Sequence, residues 1–185
     1  MPMYLALLRG INVGGRNKVA MADLRQLAES LGHADVATYI QSGNLMFTSP
    51  GTDTVALAGA LEQEIAQRLG VKSAVVVLSK PELAQAIVDN PFPDEPDPRR
   101  VHAVFRQDER SPEAVRAVAA LQQKSRDAGS ADEVVIVGRT LFLHTPDGYG
   151  RSDLAAQLFR SSARAAGTAR NWATVTKLMA MLDAG

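Results

Sequence analysis

A chain of 185 residues that is 46% hydrophobic and 22% charged has the composition of a globular protein, with room for one good core or two small halves sharing one. Twenty Lys and Arg balance twenty Asp and Glu, so no bulk charge advertises nucleic acid or a membrane as partner, and the absence of cysteine excludes disulfides, zinc–thiolate sites and thiol nucleophiles. Met1-Pro2-Met3-Tyr4 does not begin a secretory leader and no apolar run approaches the ~20 residues of a membrane helix, so the expectation is a cytoplasmic protein with no membrane association.

In chain order, Met3 to Arg9 reads as a buried strand. Met21, Leu24, Leu27, Ala28 and Leu31 fall at helical spacing, with Gly32 placed to end that helix. Val36 to Gln41 and Leu45 to Thr48 are short strands around the tight turn Ser42-Gly43-Asn44. Leu57, Leu61, Ile65 and Leu69 mark a second helix ending at Gly70, and Ala74 to Leu78 a strand. The order β-α-β-β-α-β is the split βαβ, or ferredoxin-like, unit. Ser79 and Glu82 have capping-box spacing for a connecting helix, which completes a first half over residues 1–89.

Residues 90–100 are rich in proline and acid and read as a linker. Beyond them lie a strand from Val101 to Phe105 and a helix opened by Ser111-Pro112. Two strands follow, around Gly138-Arg139. Ser152 can cap a helix that ends at Gly167, and Asn171 a last helix carrying Trp172, Val175, Leu178, Met179 and Leu182. The second half, residues 101–185, therefore reads as βαββαα, incomplete and ending in helices. The fold class is α+β, two ferredoxin-like halves packed as one compact unit, with one continuous sheet as the competing arrangement.

The neutral total hides local imbalance. Residues 89–113 hold four cations and seven acids, a solvated face. Arg9 to Lys18 carries three cations and no acid, together with Gly10, Gly14, Gly15, Asn12 and Asn17. From Arg151 to Lys177 there are five cations (Arg151, Arg160, Arg164, Arg170, Lys177) against Asp153 alone. A loop that merely connects a strand to a helix rarely needs so many donors, so residues 9–18 point to an anion. Gly10-x4-Gly15-Arg16-Asn17 misses the lysine and hydroxyl of a nucleotide P-loop and is rejected as one. Gln41, Ser42 and Asn44 form a second polar cluster that reads first as hairpin chemistry. The β1–α1 loop and this hairpin can lie at opposite or neighbouring ends, and spacing does not decide.

Arg151, Arg170 and Asn171 each adjoin a helix start, where exposed N–H groups and a partial positive charge favour anions. Trp172 fits the core by its stripe position and could also stack on a planar ligand. Lys177 lies off that stripe and faces solvent. His33, His102 and His144 bring no metal-ligand spacing and no nucleophile elbow, so there is no strong general acid or base, no metal site and no cofactor motif.

Ala6-Leu7-Leu8-Arg9-Gly10-Ile11-Asn12-Val13-Gly14-Gly15, with Asn17-Lys18-Val19 and Met21, resembles the hallmark of the bacterial family called domain of unknown function 1697. So do Thr38 to Asn44, Gly150-Arg151-Ser152, and Thr168 with Arg170-Asn171-Trp172, Thr174-Val175 and Lys177-Leu178. Ala20 stands where that family usually has proline, and Asp153 where lysine is common, which removes a cation from the expected site. The resemblance implies a small α+β protein of two related halves, with no established activity. Its hallmark residues are largely polar rather than apolar.

The reading expected first is a protein that binds a phosphate-bearing ligand, a nucleotide or nucleic acid, through Arg9, Asn12, Gly14, Gly15, Asn17, Lys18, Gln41, Ser42, Asn44, Arg151, Arg170, Asn171, Trp172 and Lys177. The second is a structural or interaction protein whose polar motifs join the halves. The third is an enzyme on a small phosphorylated or carboxylated metabolite, with arginines stabilising developing charge.

Overall fold

The computed structural model describes residues 1–161 and 167–185. Its strands form two separate four-stranded antiparallel sheets, which settles the question of one continuous sheet. Two compact units emerge: Met1–Gln85 with Leu178–Gly185, and Ala86–Lys177.

In the first unit, β1 (Met3–Leu8), α1 (Met21–Ser30), β2 (Ala34–Tyr39), β3 (Asn44–Thr48), α2 (Thr54–Leu69) and β4 (Val75–Ser79) give the sheet order β2-β3-β1-β4. The apolar run of β1 places it centrally, paired with β3 and β4. Tyr4, Ala6 and Leu8 alternate onto the face that meets Leu24, Leu27, Leu61 and Ile65 of α1 and α2, one contiguous core. Asp53 caps α2, its carboxylate accepting from the Val55 and Ala56 N–H groups, and Gly70 ends the helix at positive φ. The Ser79–Glu82 capping box forms as its spacing predicts, opening α3 (Lys80–Val88).

The second unit repeats the order. It contains β5 (Val101–Phe105), α4 (Pro112–Asp127), β6 (Glu133–Val137), β7 (Thr140–His144), α5 (Asp153–Ser161) and β8 (Thr168–Asn171), in sheet order β6-β7-β5-β8. The expectation of an incomplete second half is thereby corrected. Thr168–Asn171 is a strand paired to β5, with Ala103 opposite Arg170 and Val104 opposite Ala169. Its four residues lack an apolar run, so pairing to a central strand rather than intrinsic preference holds it extended. Asn171 nonetheless caps the helix that follows, α6 (Trp172–Ala184), accepting from the Thr174 N–H at 2.9 Å. The end of the helix opened by Ser152, expected before Gly167, and Arg164 of the cationic stretch lie outside the described residues.

The Pro-rich segment is part of this unit rather than a bare connection. Phe92 packs its ring 5.0 Å from that of His144, and Glu95 Oε2 lies 2.6 Å from His144 Nε2. The chain of α6 crosses the unit boundary, and its last residues belong to the first unit. There Lys80 Nζ donates to the Leu182 carbonyl and pairs with Asp183, each at 3.0 Å. Edge strands are closed by helix side chains. Glu62 of α2 accepts from the Val75 N–H of β4, and Gln122 of α4 bridges the Val134 N–H and the Asp132 carbonyl at the edge of β6.

Candidate functional site

The β1–α1 loop and the β2–β3 hairpin lie at neighbouring ends of the first sheet. Leu8 N–H donates to the Gly43 carbonyl (2.9 Å) and Arg9 N–H to the Ala74 carbonyl (3.0 Å), while Ser73 Oγ donates back to the Arg9 carbonyl. Gly43 is demanded here. Its φ is +83°, and a Cβ would sit 2.7 Å from Ile11 Cδ1 and 2.8 Å from Leu8 Cβ.

Residues 9–20 fold back on themselves. Val13-Gly14-Gly15-Arg16 is a tight turn closed by the Arg16 N–H on the Val13 carbonyl, with both glycines at positive φ. Asn12 is the staple of the loop. Its Nδ2 donates to the Val19 carbonyl (2.9 Å) and across to the Gln41 carbonyl (2.8 Å), while Oδ1 accepts from the Val19 N–H (2.9 Å). Asn17 Nδ2 donates to the Gly10 carbonyl at 3.0 Å. Asn44 is fully buried and donates to the Tyr39 carbonyl and the Ser42 hydroxyl. These amides brace the loop and the hairpin.

What the loop offers outward is different. Gly14, Gly15, Arg16, Lys18 and Gln41 are exposed, and among the described residues the N–H groups of Gly14, Gly15 and Lys18 meet no protein acceptor. Ala20 is the N-cap of helix α1 and supplies no side-chain cap, so the first-turn N–H groups of the helix are open as well. An open depression there is lined by Asn12, Gly15, Lys18, Val19, Ala20, Asp23 and Gln41. Arg9 stands partly buried beside the loop, where desolvation lowers its pKa from the ordinary value. The site thus gathers Arg9, Asn12, Gly14, Gly15, Asn17, Lys18, Gln41, Ser42 and Asn44.

The remaining expected residues belong to the second unit and do not form one cluster with each other. Arg151 is exposed at the end of a short 3-10 turn before α5. Arg170 is buried in β8 with Nη1 on the Ala169 carbonyl, and burial lowers its pKa to about 10. Asn171 is occupied in capping α6, Trp172 tilts against Phe142 at 6.2 Å, and Lys177 is exposed.

The family model "Protein of unknown function (DUF1697)" matches residues 1–142. The chain belongs to this family. Membership places the glycine-rich loop and the hairpin within the matched region. A solved structure of a conserved bacterial protein, SP0830, from Streptococcus pneumoniae is similar along the whole length: 27% identity, TM-score 0.79, and 98% of each chain covered. A comparison with curated proteins finds no match.

Residues that spacing could not have gathered complete the description of the second unit. Lys124, Asp132 and Asp147 meet Arg151 and Ser152 around one pocket, because the C-terminal end of α4 and the N-terminal end of α5 converge there. The histidines serve packing. His33 stacks on Phe47 at 4.3 Å and His102 on Tyr149 at 4.2 Å, and burial lowers both pKa values, that of His102 to about 4.

Proposed function

We propose that the β1–α1 loop of this family member binds a phosphate-bearing ligand, a nucleotide or the backbone of a nucleic-acid strand. The observation that carries this reading is the uncapped start of α1. The start of α1 at Ala20 and Asp23, with Gly15 and Lys18 and their open N–H groups, borders one depression beside the Lys18 ammonium. Backbone N–H groups held by a braced loop bind an anion without first having to be ordered, and the helix terminus adds a partial positive charge. Arg16 and Lys18 supply full charges, and Asp23 at the rim opposes them.

Calorimetric titration with orthophosphate, nucleoside mono- and diphosphates, and short RNA and DNA tests this at low and high salt. Lys18→Ala and Arg16→Ala should each weaken binding about tenfold, as for a charge-assisted hydrogen bond. For a single strand, log K should fall against log salt by about 0.7 per phosphate engaged. Binding indifferent to salt and to both substitutions would overturn the proposal.

The second reading, a polar scaffold, draws on Asn12, Asn44 and Arg170, whose side chains bond within the fold. Its mark is a loop that binds none of these anions in a protein whose thermal stability still depends on those residues.

A further inference from the structure

Helix α4 lies on its sheet more loosely than its counterpart in the first unit. Of its 16 residues only Gln122 is buried, whereas α1 buries Met21, Leu24, Leu27 and Ala28. An open groove of about 470 Å³ runs between α4 and β6. Val115 and Val118 line one side, Val134 and Ile136 the other, and among the described residues Arg126 is the sole charged group lining it. β6 is an edge strand. The turn at Gly138-Arg139 pairs Val137 with Thr140, so alternation along β6 turns the N–H and C=O groups of Val134 and Ile136 away from β7. Gln122 accepts from the Val134 N–H at 2.6 Å and donates to the Asp132 carbonyl at 2.9 Å, which closes only the start of that edge. Among the described residues the Val134 carbonyl and both backbone polar groups of Ile136 have no hydrogen-bond partner. Free ladder groups beside an apolar groove are what an extended peptide needs in order to add as a strand.

We infer that this groove binds the C-terminal segment of an extended apolar peptide, added as a strand antiparallel to β6. The peptide residue facing Ile136 exchanges two backbone hydrogen bonds with it, and the terminal residue donates its N–H to the Val134 carbonyl. Alternate side chains of the peptide lie between Ile136 and the valines of α4. The direction follows from charge. Gln122 stands beside the start of β6, and Arg126 lies one helical turn beyond it, at the same end of the groove. A chain antiparallel to β6 runs toward that end, where Gln122 stops the ladder, so it finishes beside Arg126. Among the described residues Arg126 has no ion-pair partner, and a terminal carboxylate supplies one with charge-assisted hydrogen bonds. A second copy adding its own β6 would bring its Gly138-Arg139 turn there, a cation instead of an acid. The groove does not depend on phosphate binding in the first unit.

The test is a titration of the full chain, followed by amide NMR, with N-acetylated hexapeptides of alternating threonine and valine that end in a free valine, leucine or phenylalanine carboxylate. Saturable shifts centred on Val118, Gln122, Val134 and Ile136 are expected with at least one ending. The same peptide amidated at its C-terminus should bind about tenfold more weakly, having lost a charge-assisted hydrogen bond, and Arg126→Ala should weaken the free acid by a similar factor. Arg126 is exposed, so this variant keeps the fold. Proline two residues before the end removes the N–H that Ile136 accepts, and binding should be lost. No saturable shift with any of the three endings, equal affinity for acid and amide, or indifference to Arg126→Ala would overturn the inference. So would shifts at the same residues that grow with protein concentration alone, together with a dimer in sedimentation, since a second copy would then be the occupant. Orthophosphate titrated into Arg126→Ala should bind as it does to the unaltered protein, which keeps this test apart from that of the loop in the first unit.

Discussion

The two units solve the same connection differently. In the second, residues 106–111 lead from β5 to α4. Ser111 caps that helix, accepting from the Ala114 N–H, and Pro112 opens it. Arg106 pairs with Asp108, Arg110 donates to the Arg139 carbonyl, and Arg139 donates to the Gln107 carbonyl. Helix start, loop and hairpin are mutually satisfied. In the first unit the equivalent connection, residues 9–20, is twice as long and its helix starts without a cap. One asparagine, Asn12, ties that loop to its hairpin, the task that two arginines perform in the second unit. The same strand order therefore needs neither the extra length nor the exposed cations. A fold that can close this loop cheaply, and does so once, leaves the open version to be explained by what it meets.

The sharpest way to break the comparison is at the two hairpin glycines. Gly43 and Gly138 both adopt positive φ, but a Cβ at Gly43 would collide with Ile11 and Leu8, while nothing lies within 4 Å of one at Gly138. Gly43→Ala should cost about 3 kcal/mol or more, conformational strain added to overpacking, and Gly138→Ala about 1 kcal/mol from strain alone. Denaturant midpoints of the two variants check this. Equal losses would mean that the hairpin of the first unit is not held against its loop as described.

Acid should separate the units next. Each buries a histidine on an aromatic ring, and burial holds His102 down to about 4. A group whose pKa is lower folded than unfolded contributes stability above its unfolded value, and that stability drains as pH falls from about 6.5 toward 4. For His102 the full loss is about 3 kcal/mol, so β5 and β8 should open first in hydrogen exchange on acidification. His102→Phe keeps a ring against Tyr149 and should flatten this part of the profile. An unchanged profile would assign the acid response elsewhere.

How much of this was legible in the sequence follows from the kind of signal involved. Apolar periodicity marked β1, α1, α2 and β7, because burial of one stripe or one face repeats locally along the chain. Thr168–Asn171 carried no such pattern, since its strand depends on pairing with a partner 63 to 69 residues away, and Asn171 already read as a cap. The polar character of the β1–α1 loop was equally plain. The division of labour within it was not, because Asn12 is recognisable as a staple only once Val19 and Gln41 stand beside it. Arg170 and Lys177 read alike as cations and differ entirely in burial. The pocket of Asp132 was invisible for a stronger reason. Its members come from two helix ends and a strand entry, and only the tertiary fold sets them together.

The smallest change sharpens the comparison most. Ala20 holds the extended backbone of an N-cap, φ −71° and ψ 136°, yet has no side-chain oxygen to offer. Ala20→Ser would make the first unit resemble the second, supplying the acceptor that Ser111 supplies to α4. On stability alone the gain should be about 0.5–1 kcal/mol, and Ser111→Ala should lose a similar amount. If the open N–H groups of α1 are where phosphate binds, the new hydroxyl competes for them, and affinity should fall severalfold while the melting temperature rises. Helix optimisation and ligand binding then act in opposition at one residue. A serine that stabilises the protein and leaves phosphate affinity untouched would separate the helix terminus from the anion site and leave the loop N–H groups, Arg16 and Lys18 as its contacts.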